Sequence, residues 1–296
     1  MDALLELLAD GEFHAGDELG ARLEISRAAI WKQMHKLEQM GIEVQSIKGK
    51  GYRLREPLEL LKKDTILAAM PEGAQEHLKG LELLHQTTST NDVAMALASK
   101  SAGSGMVVIA EQQTAGRGRR GRPWVSPFGC NLYVSVVWEF FQGAAALEGL
   151  SLAAGVAVAR ALKSVGVTGA RLKWPNDILV DDKKISGILL EMTGDPCGRC
   201  QVVLGIGVNH KIPRSAATEI DQPWCRLDDL SPGISRNQLA AAVISELLGM
   251  LDCFQREGFS AFRDEWESLD RYRGAHVQIR TGAHDIVGTA DGVDFT

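Results

Sequence analysis

The 296-residue sequence predicts an α+β protein with a small helical module at its N-terminus and a larger domain built on a mixed sheet. Two observations carry this prediction. The first sixty residues hold short helical patterns followed by a hairpin signal, whereas strand-like and helical patterns alternate from about residue 81 onward. Apolar residues make up 45% and charged residues 24% of the chain, which is typical of globular proteins with a sizeable core.

The first sixty residues show the element order of a winged helix-turn-helix. The run DALLELLAD predicts a short helix, and two further helical patterns are separated by a break near residues 24–25. Ser26 is a good N-cap for the third helix, where Ile30, Met34 and Leu37 share one face. Two strand-like runs around KGKG then predict a hairpin, which would form the wing.

Positive charge is concentrated on the third helix and the wing. Between Ile25 and Arg55, seven basic and two acidic residues give a net charge of +5, although the whole chain carries −6. These two elements approach DNA in winged folds, so we expect DNA binding, with a protein-binding module as the alternative. For Trp31 two roles stay open, contact with DNA and packing in the core, because a large aromatic side chain is compatible with both. The predicted base-reading residues are Ser26, Arg27, Ala28 and Trp31, and the predicted phosphate contacts are Lys48, Lys50 and Arg53. Lys32 is a further predicted DNA-binding residue.

The central region alternates strand patterns with helix patterns. The predicted strands are LELLHQ, GMVVIAEQ, CNLYVSVVWEF, ARLKWPNDILV, KKISGILLEM and QVVLGIGVNH. The predicted helices are TTSTNDVAMALASK and LEGLSLAAGVAVARALKSVG. Because several neighbouring strands have short hairpin links, we expect a mixed, largely antiparallel sheet with helices on one side.

Two segments of this region offer groups for a polar or anionic ligand. The helix start at Ser89–Asn91 presents hydroxyls and backbone N–H groups, although plain N-capping would also explain it. The sequence GRGRRGR at 116–122 combines guanidinium groups that bind phosphate with glycines that let a loop close over a ligand. A loop that binds nucleic acid directly is the competing interpretation.

Two further features indicate a site on the same sheet. The KWPND turn brings Lys173, Asn176 and Asp177 to the end of a strand. Glycines inside strands allow close approach of a ligand, and Gly187 and the Gly205/Gly207 pair lie in predicted strands.

Cysteine usage and the N-terminus limit the class of protein. The five cysteines are odd in number and spread along the chain, which argues against a disulfide framework. Cys197 and Cys200 form one CxxC, but the second pair of ligands that a structural zinc needs is missing from the sequence. The start MDALLELLAD lacks the features of a secretory signal. No run of about 18 apolar residues occurs, so we expect a cytoplasmic protein without a membrane partner.

Five motifs follow the winged helix in this order: TSTN, AGRGRRGRPWVSPFGCNLY, KWPND, KKISGILLE and GIGVN. Together with the winged helix, they resemble the bifunctional biotin–protein ligases that also repress the biotin operon. The resemblance covers residues 1–290. It implies a DNA-binding domain at 1–60, a catalytic domain at 65–270 with the biotin/lipoate-ligase-like, class II synthetase-like fold, and a partial SH3-like barrel at 271–296.

The resemblance implies an enzyme that makes biotinyl-5′-adenylate from biotin and ATP and passes biotin to a lysine of a biotin carboxyl carrier protein. Lys184 is the implied active-site lysine, with Lys183 as the competing choice, and Gln112 competes with Gln113 for one biotin contact. Arg119 would stabilise charge on the α-phosphate, and Asp177 is our candidate to orient or deprotonate the acceptor amine. The implied biotin contacts are Ser89, Thr90, Asn91, Gln113, Arg117, Gly118, Arg119, Lys184 and Gly187. The implied nucleotide contacts are Arg119, Arg122, Trp124, Lys173, Asn176, Asn209 and Trp224.

Mg²⁺ would be held chiefly by ATP phosphates, so no metal site made of protein groups alone is expected.

The resemblance also implies a regulatory cycle. The adenylate would order the arginine loop and favour a homodimer, which would bring two winged helices to the half-sites of a palindromic operator.

The final segment, AHVQIRTGAHDIVGTADGVDFT, resembles only the first strands of the SH3-like barrel. Such a clipped end would leave open sheet edges and would remove residues that help to bind ATP. Three alternatives therefore stay open: a biotin-sensing repressor that has lost ligation, a lipoate-type acyl ligase, and a nucleic-acid protein that uses the arginine loop directly.

Overall fold

The computed structural model describes residues 2–100, 103–195, 197–213, 216–280 and 285–294. The α-helices are α1 (Asp2–Leu8), α2 (Gly16–Arg22), α3 (Arg27–Gln39), α4 (Lys63–Ala69), α5 (Glu72–Gln75), α6 (Thr90–Ser99), α7 (Leu150–Ser164), α8 (Leu227–Leu230), α9 (Arg236–Glu257) and α10 (Arg263–Leu269). The strands are β1 (Val44–Ile47), β2 (Gly51–Leu54), β3 (Gly80–Thr87), β4 (Met106–Gln113), β5 (Leu132–Phe140), β6 (Arg171–Lys173), β7 (Asp177–Val180), β8 (Lys183–Gly194), β9 (Cys200–Val208), β10 (His276–Arg280) and β11 (Asp285–Thr289).

The N-terminal module has the predicted order of three helices followed by a hairpin. Ser26 caps α3, since its Oγ accepts a hydrogen bond from the backbone N of Ala29 at 3.2 Å. Ile30, Met34 and Leu37 are buried in a core that α1 and α2 share. Strands β1 and β2 pair antiparallel to form the wing. The predicted winged helix-turn-helix is therefore confirmed.

Seven strands of the described residues form one sheet in the order β3-β4-β5-β9-β8-β7-β6. Only the β3–β4 pair is parallel among the described pairings of this sheet, so the mixed, largely antiparallel prediction is confirmed. The run ARLKWPNDILV is not one strand, because the chain reverses at Pro175, which has no N–H to donate to a ladder. It forms β6 and β7 instead, and Lys173 faces Asp177 across the turn.

Helices cover both faces of the sheet, so the expectation of helices on one side was wrong. Helices α4, α7 and α9 pack on the face that carries Val134 and Leu204. Helix α6 packs on the opposite face, against Val108, Val137 and Val203. The cause lies in the central strands, which are apolar on both sides and would expose a hydrophobic face if only one side were covered.

The segment Ala144–Ser164, which contains α7, is long and apolar enough to cross a membrane by length and composition alone. In this fold α7 lies in the core, and Ala153, Val156 and Ala157 are fully buried against α9 and the sheet. The small side chains of α7 let it approach the sheet closely.

The linker between the wing and α4, residues 56–62, is anchored by side chains of the domain that contains the seven-stranded sheet. The Glu59 carboxylate accepts hydrogen bonds from Ser235 Oγ at 2.5 Å, Arg236 N at 2.6 Å and Asn237 Nδ2 at 2.8 Å. Burial alone would raise the pKa of Glu59, but these bonds hold that pKa below its ordinary value. Arg236 is 1% exposed and pairs with Glu111 at 2.8 Å.

The C-terminal hairpin β10–β11 pairs antiparallel from His276↔Thr289 to Arg280↔Asp285. It corresponds to the first strands of the predicted SH3-like barrel. Residues 281–284 and 295–296 of that predicted segment lie outside the described residues.

Candidate active site

An open cavity of about 1600 Å³ lies against the end of the sheet where α6 begins. The arginine loop (116–122), the KWPND turn, strands β8 and β9 and the C-terminal hairpin all border it. At its floor, Ser89, Thr90 and Asn91 are each 3% exposed.

Gln113 belongs to the cavity and Gln112 does not. Gln113 Oε1 accepts hydrogen bonds from the backbone N of Thr90 at 2.9 Å and from Thr90 Oγ1 at 3.1 Å. Its Nε2 donates to Ser126 Oγ at 3.2 Å. Gln112 instead donates to the carbonyl of Met40 in the winged helix at 3.1 Å. Alternation of side chains along β4 separates the two glutamines.

The start of α6 is more than a plain helix cap. Ser89 occupies the N-cap position, but its side chain makes no capping hydrogen bond and lines the cavity. Asn91 Nδ2 donates to Glu191 at 2.7 Å, and its Oδ1 accepts from Ser135 Oγ at 2.6 Å. These partners fix the Asn91 side chain before any ligand arrives.

Arg117 is already ion-paired. Its guanidinium lies 2.7 Å from Asp92 Oδ1 and 3.1 Å from Glu191 Oε1. The hydrogen bond from Arg117 is the main reason why the pKa of Asp92 lies below its ordinary value. Arg119 is less engaged, since it donates to Asn176 Oδ1 at 3.3 Å. Arg119 and Arg122 both line the cavity.

Lys184 and Asp177 form an ion pair inside the cavity. Lys184 Nζ lies 2.7 Å from Asp177 Oδ1, and the side chains are 15% and 16% exposed. The β7–β8 register shifts between Ile178 and Leu179, an irregularity that redirects the side chains around Lys184. Lys184 Nζ also lies 5.3 Å from the centre of the Trp124 ring. Lys183 is exposed and does not border the cavity, so the geometry favours Lys184.

Gly187, Gly205 and Gly207 border the cavity, and they also make room for its side chains. A Cβ on Gly207 would come 2.5 Å from Trp124 Cε2, and one on Gly187 would come 3.1 Å from Trp124 Cζ3. A Cβ on Gly205 would come 2.2 Å from Asn91 Oδ1. Trp124 and Asn91 therefore lie directly on the backbone of the sheet.

Two predicted nucleotide contacts, Asn209 and Trp224, are not among the described residues that line the cavity. Asn209 is 4% exposed and donates to the carbonyls of Lys184 and Cys225 at 3.3 and 3.2 Å. Trp224 forms a parallel bridge with Lys184. In this conformation both residues support the backbone of Lys184.

Several lining residues were missed at the sequence level. Trp174 is 49% exposed at the cavity border, next to Lys173 and Asn176. His276 and Arg280 of β10 also border the cavity. The tryptophan inside KWPND was a usable signal, whereas the position of the hairpin depends on long-range folding.

The predicted DNA-binding residues lie on one module but differ in exposure. Trp31 is 55% exposed and contacts the His35 ring edge-on, so it is not a core residue. Arg27, Ala28, Lys32, Lys48 and Lys50 are exposed. The Arg53 guanidinium lies 4.7 Å from the Phe13 ring centre and donates to Gln45. Ser26 Oγ is engaged in the cap.

Among the described residues, no group of three or more His, Cys, Asp or Glu side chains could hold a metal ion. Cys197 is exposed in a loop between β8 and β9, and Cys200 is buried at the start of β9.

Comparisons with known proteins agree with this architecture. Residues 83–209 match the model of the biotin/lipoate A/B protein ligase family, and residues 1–53 match that of an HTH domain. The chain is 40% identical over 291 residues to the bifunctional ligase/repressor BirA of Escherichia coli (strain K12), covering 98% of this chain and 88% of that one. It is 32% identical over 302 residues to BirA of Bacillus subtilis (strain 168), covering 98% and 90%. The structure of biotin protein ligase from Aquifex aeolicus in complex with biotin and ATP aligns with a TM-score of 0.61 and 28% identity, covering 73% and 89%.

Proposed function

Because this chain belongs to the family of bifunctional biotin ligase/repressors, we propose that it performs both activities through two separate sites. The cavity joins biotin and ATP to form biotinyl-5′-adenylate and then transfers biotin to a lysine of an acceptor domain. The winged helix binds operator DNA. The observation that carries the ligase assignment is the convergence of Lys184, Arg119 and the buried helix start at Ser89–Asn91 on one cavity.

The first reaction step needs positioning and charge neutralisation rather than a strong base. The biotin carboxylate is ionised near neutral pH, and it must approach the α-phosphate of ATP against mutual repulsion. Lys184, Arg119 and Arg122 border the same cavity and would stabilise the charge that develops on the α-phosphate. Asp177 keeps the Lys184 ammonium at a fixed place, because the two groups are only 2.7 Å apart.

The two substrates would occupy different depths of the cavity. The ureido ring of biotin fits the polar floor formed by Ser89, Thr90, Asn91 and Gln113, where donors and acceptors are already fixed. Gly118 and Gly187 border this part of the cavity. ATP would lie nearer the mouth, between Trp124, Lys173, Asn176 and Arg122. Arg117 would bind biotin while it stays paired with Asp92 and Glu191, and we do not assign it to phosphate.

Mg²⁺ enters with ATP in this scheme and neutralises phosphate charge. In this mode the ATP phosphates supply most of the oxygen ligands of the ion. In the second step a neutral acceptor amine would attack the biotinyl carbonyl of the adenylate and release AMP. We propose that Asp177 orients that amine or takes its proton, and its position at the cavity supports this role.

The deciding experiment is biotin-dependent exchange of pyrophosphate into ATP on the full chain, followed by transfer of labelled biotin to an isolated carrier domain. We expect both reactions, and we expect lipoate to support neither. Exchange without transfer would indicate a repressor that has lost ligation. Exchange with lipoate in place of biotin would indicate a lipoate-type ligase.

The repressor role depends on assembly. We infer that adenylate binding orders the arginine loop and favours a homodimer, which would present two winged helices to a palindromic operator. We place the domain boundaries at 1–60, 65–270 and 271–296. ATP, carrier proteins and operator DNA are all available in the cytoplasm, and we propose that the protein acts there.

A further inference from the structure

Three consecutive residues at the end of β4 reach three different parts of the molecule. Glu111 holds the linker, Gln112 contacts the winged helix, and Gln113 lies in the cavity. This arrangement connects the proposed biotin site to the DNA-binding module within a single chain.

The Glu111 connection is buried and ionic. Glu111 Oε2 accepts from Arg236 Nη2 at 2.8 Å, and its Oε1 accepts from the backbone N of Leu61 at 2.6 Å. The backbone N of Lys62 donates to Asn237 Oδ1 at 2.7 Å, and Asn237 Nδ2 donates to the Leu60 carbonyl at 3.0 Å. The linker therefore has little freedom to swing.

The Gln112 connection reaches the end of α3, the recognition helix. Its Nε2 donates to the Met40 carbonyl at 3.1 Å, and its Oε1 accepts from Gln86 Nε2 at 2.8 Å. Met40 is the C-cap of α3, and carbonyls at a helix end have no partner inside the helix. Gln112 thus supplies a partner to the helix that carries Arg27, Trp31 and Lys32.

The Gln113 connection completes the path. Gln113 is bonded to Thr90 and Ser126, which belong to the floor and to the segment after the arginine loop. Gln112 and Gln113 are adjacent in a strand whose ladder pairs them with Gln86 and Thr87. Because Gln112 and Gln113 share the backbone of β4, a ligand that contacts Thr90 and Gln113 would act on the same stretch of strand that carries Gln112.

We propose that Gln112 is a positioning residue that couples occupancy of the biotin cavity to the C-terminal end of the recognition helix within one protomer. The inference rests on the proposed function, because biotin and ATP are taken as the ligands. Coupling of this kind acts before any dimer forms and adds to the effect of dimerisation.

The test is amide hydrogen exchange on the full chain, with and without biotin plus ATP and Mg²⁺. The reporters are the amides of Met40, Gly41 and Ile42, which close the end of α3 by bonding to carbonyls of Lys36, Glu38 and Leu37. Loss of one hydrogen bond corresponds to about a fivefold change in an opening equilibrium. Since the Gln112–Met40 bond is already present without ligand, we expect the ligands to slow exchange at these amides measurably, by at most about fivefold, in the natural sequence.

The variant Gln112→Met keeps side-chain length but cannot donate to Met40, and the reporters should then show no response to the ligands. The matched control is Gln86→Ala, which removes the outer partner of Gln112 and leaves the Met40 bond, so the response should persist. Amides at the start of α6, Asp92 and Val93, should be protected in all three proteins.

Each outcome has one meaning. If the α6 amides gain no protection in the natural sequence, the proposed function fails. If they gain protection and the α3 reporters do not, or respond equally in Gln112→Met, the coupling is overturned. A response of the α3 reporters that disappears when the protein is diluted about tenfold would assign the effect to dimerisation alone and also overturn the coupling.

Discussion

The ammonium of Lys184 lies 2.7 Å from the carboxylate of Asp177, and neighbouring strands carry the two residues into the same cavity. We expect Lys184→Ala to slow biotin-dependent pyrophosphate exchange about 10²–10³-fold, because a positioned cation next to the reacting phosphate is lost. Asp177→Asn should slow exchange less and slow transfer to the carrier domain as well. Single-turnover rates of the two steps separate these effects. Normal rates of both steps in Asp177→Asn would remove Asp177 from the mechanism.

Gly207→Ala should weaken biotin binding. A Cβ at this position would lie 2.5 Å from the Trp124 indole, which must then move off the sheet and disturb the neighbouring Lys184. We expect a higher KM for ATP, because Trp124 borders its proposed site, and for biotin, because Lys184 is disturbed; both are measured in the exchange assay. Gly249→Ala is the matched control for an added methyl group, since Gly249 lies exposed in α9 with helical backbone and nothing lies within 4 Å of its Cβ position. An unchanged KM in Gly207→Ala would show that the site tolerates a displaced indole.

Arg236→Ala should be among the most destabilising single substitutions. Arg236 and Glu111 are almost fully buried, and removing one partner leaves a charge unpaired in the core. Such losses cost about 3–5 kcal/mol, to be measured as the free energy of unfolding in urea. The double variant Arg236→Met with Glu111→Gln should recover part of the loss. Equal destabilisation by the single and double variants would contradict a role for the unpaired charge.

Acid should weaken the linker through Glu59. Because hydrogen bonds hold the pKa of Glu59 below its ordinary value of 4.5, the stabilisation is fully present above that pH and is lost as pH falls through the lower, folded-state pKa. The Glu59→Gln variant lacks this titration. The difference in unfolding free energy between the two proteins should be constant near neutral pH and shrink below about pH 4.5. A difference that stays constant in acid would exclude Glu59 as the titrating group.

Operator binding should depend steeply on salt. About five phosphate contacts per subunit, or about ten in a dimer, give a slope of log affinity against log salt near −9. Lys48→Ala removes one contact from each subunit of the dimer and should reduce the magnitude of that slope by about two. Trp31→Ala should weaken binding without changing the slope, because its exposed ring carries no charge. Biotin with ATP should raise the affinity, and a slope near zero would contradict the proposed interface.

Local patterns were sufficient for much of the fold. The Ser26 cap, the apolar face of α3 and the wing were all predictable, because each depends on residues close together in sequence. The double-sided cover of the sheet was not predicted, although the continuous apolar runs in β4 and β5 were a signal for it.

Contacts between distant segments explain what the sequence could not predict in the site. Arg117 pairs with Glu191, which is 74 residues away in the sequence. A sequence motif therefore cannot show that the charge of Arg117 is neutralised. The roles of Gly205 and Gly207 depend on Asn91 and Trp124 lying over them. The sequence could not show which of Gln112 and Gln113 lies in the cavity. The structure distinguishes them, because adjacent side chains of β4 point to opposite sides of the strand.

The anchored linker also limits which operators the protein can use. Side chains of α9 and β4 bind the backbone from Leu60 to Lys62. We therefore expect the linker to restrict rotation of the winged helix toward a displaced half-site. In a dimer the catalytic domains would then set the distance and the relative orientation of the two half-sites that can be bound. One inserted base pair moves a half-site by about 3.4 Å along the duplex and rotates it about the axis, and a rigid pair of modules could not follow both changes.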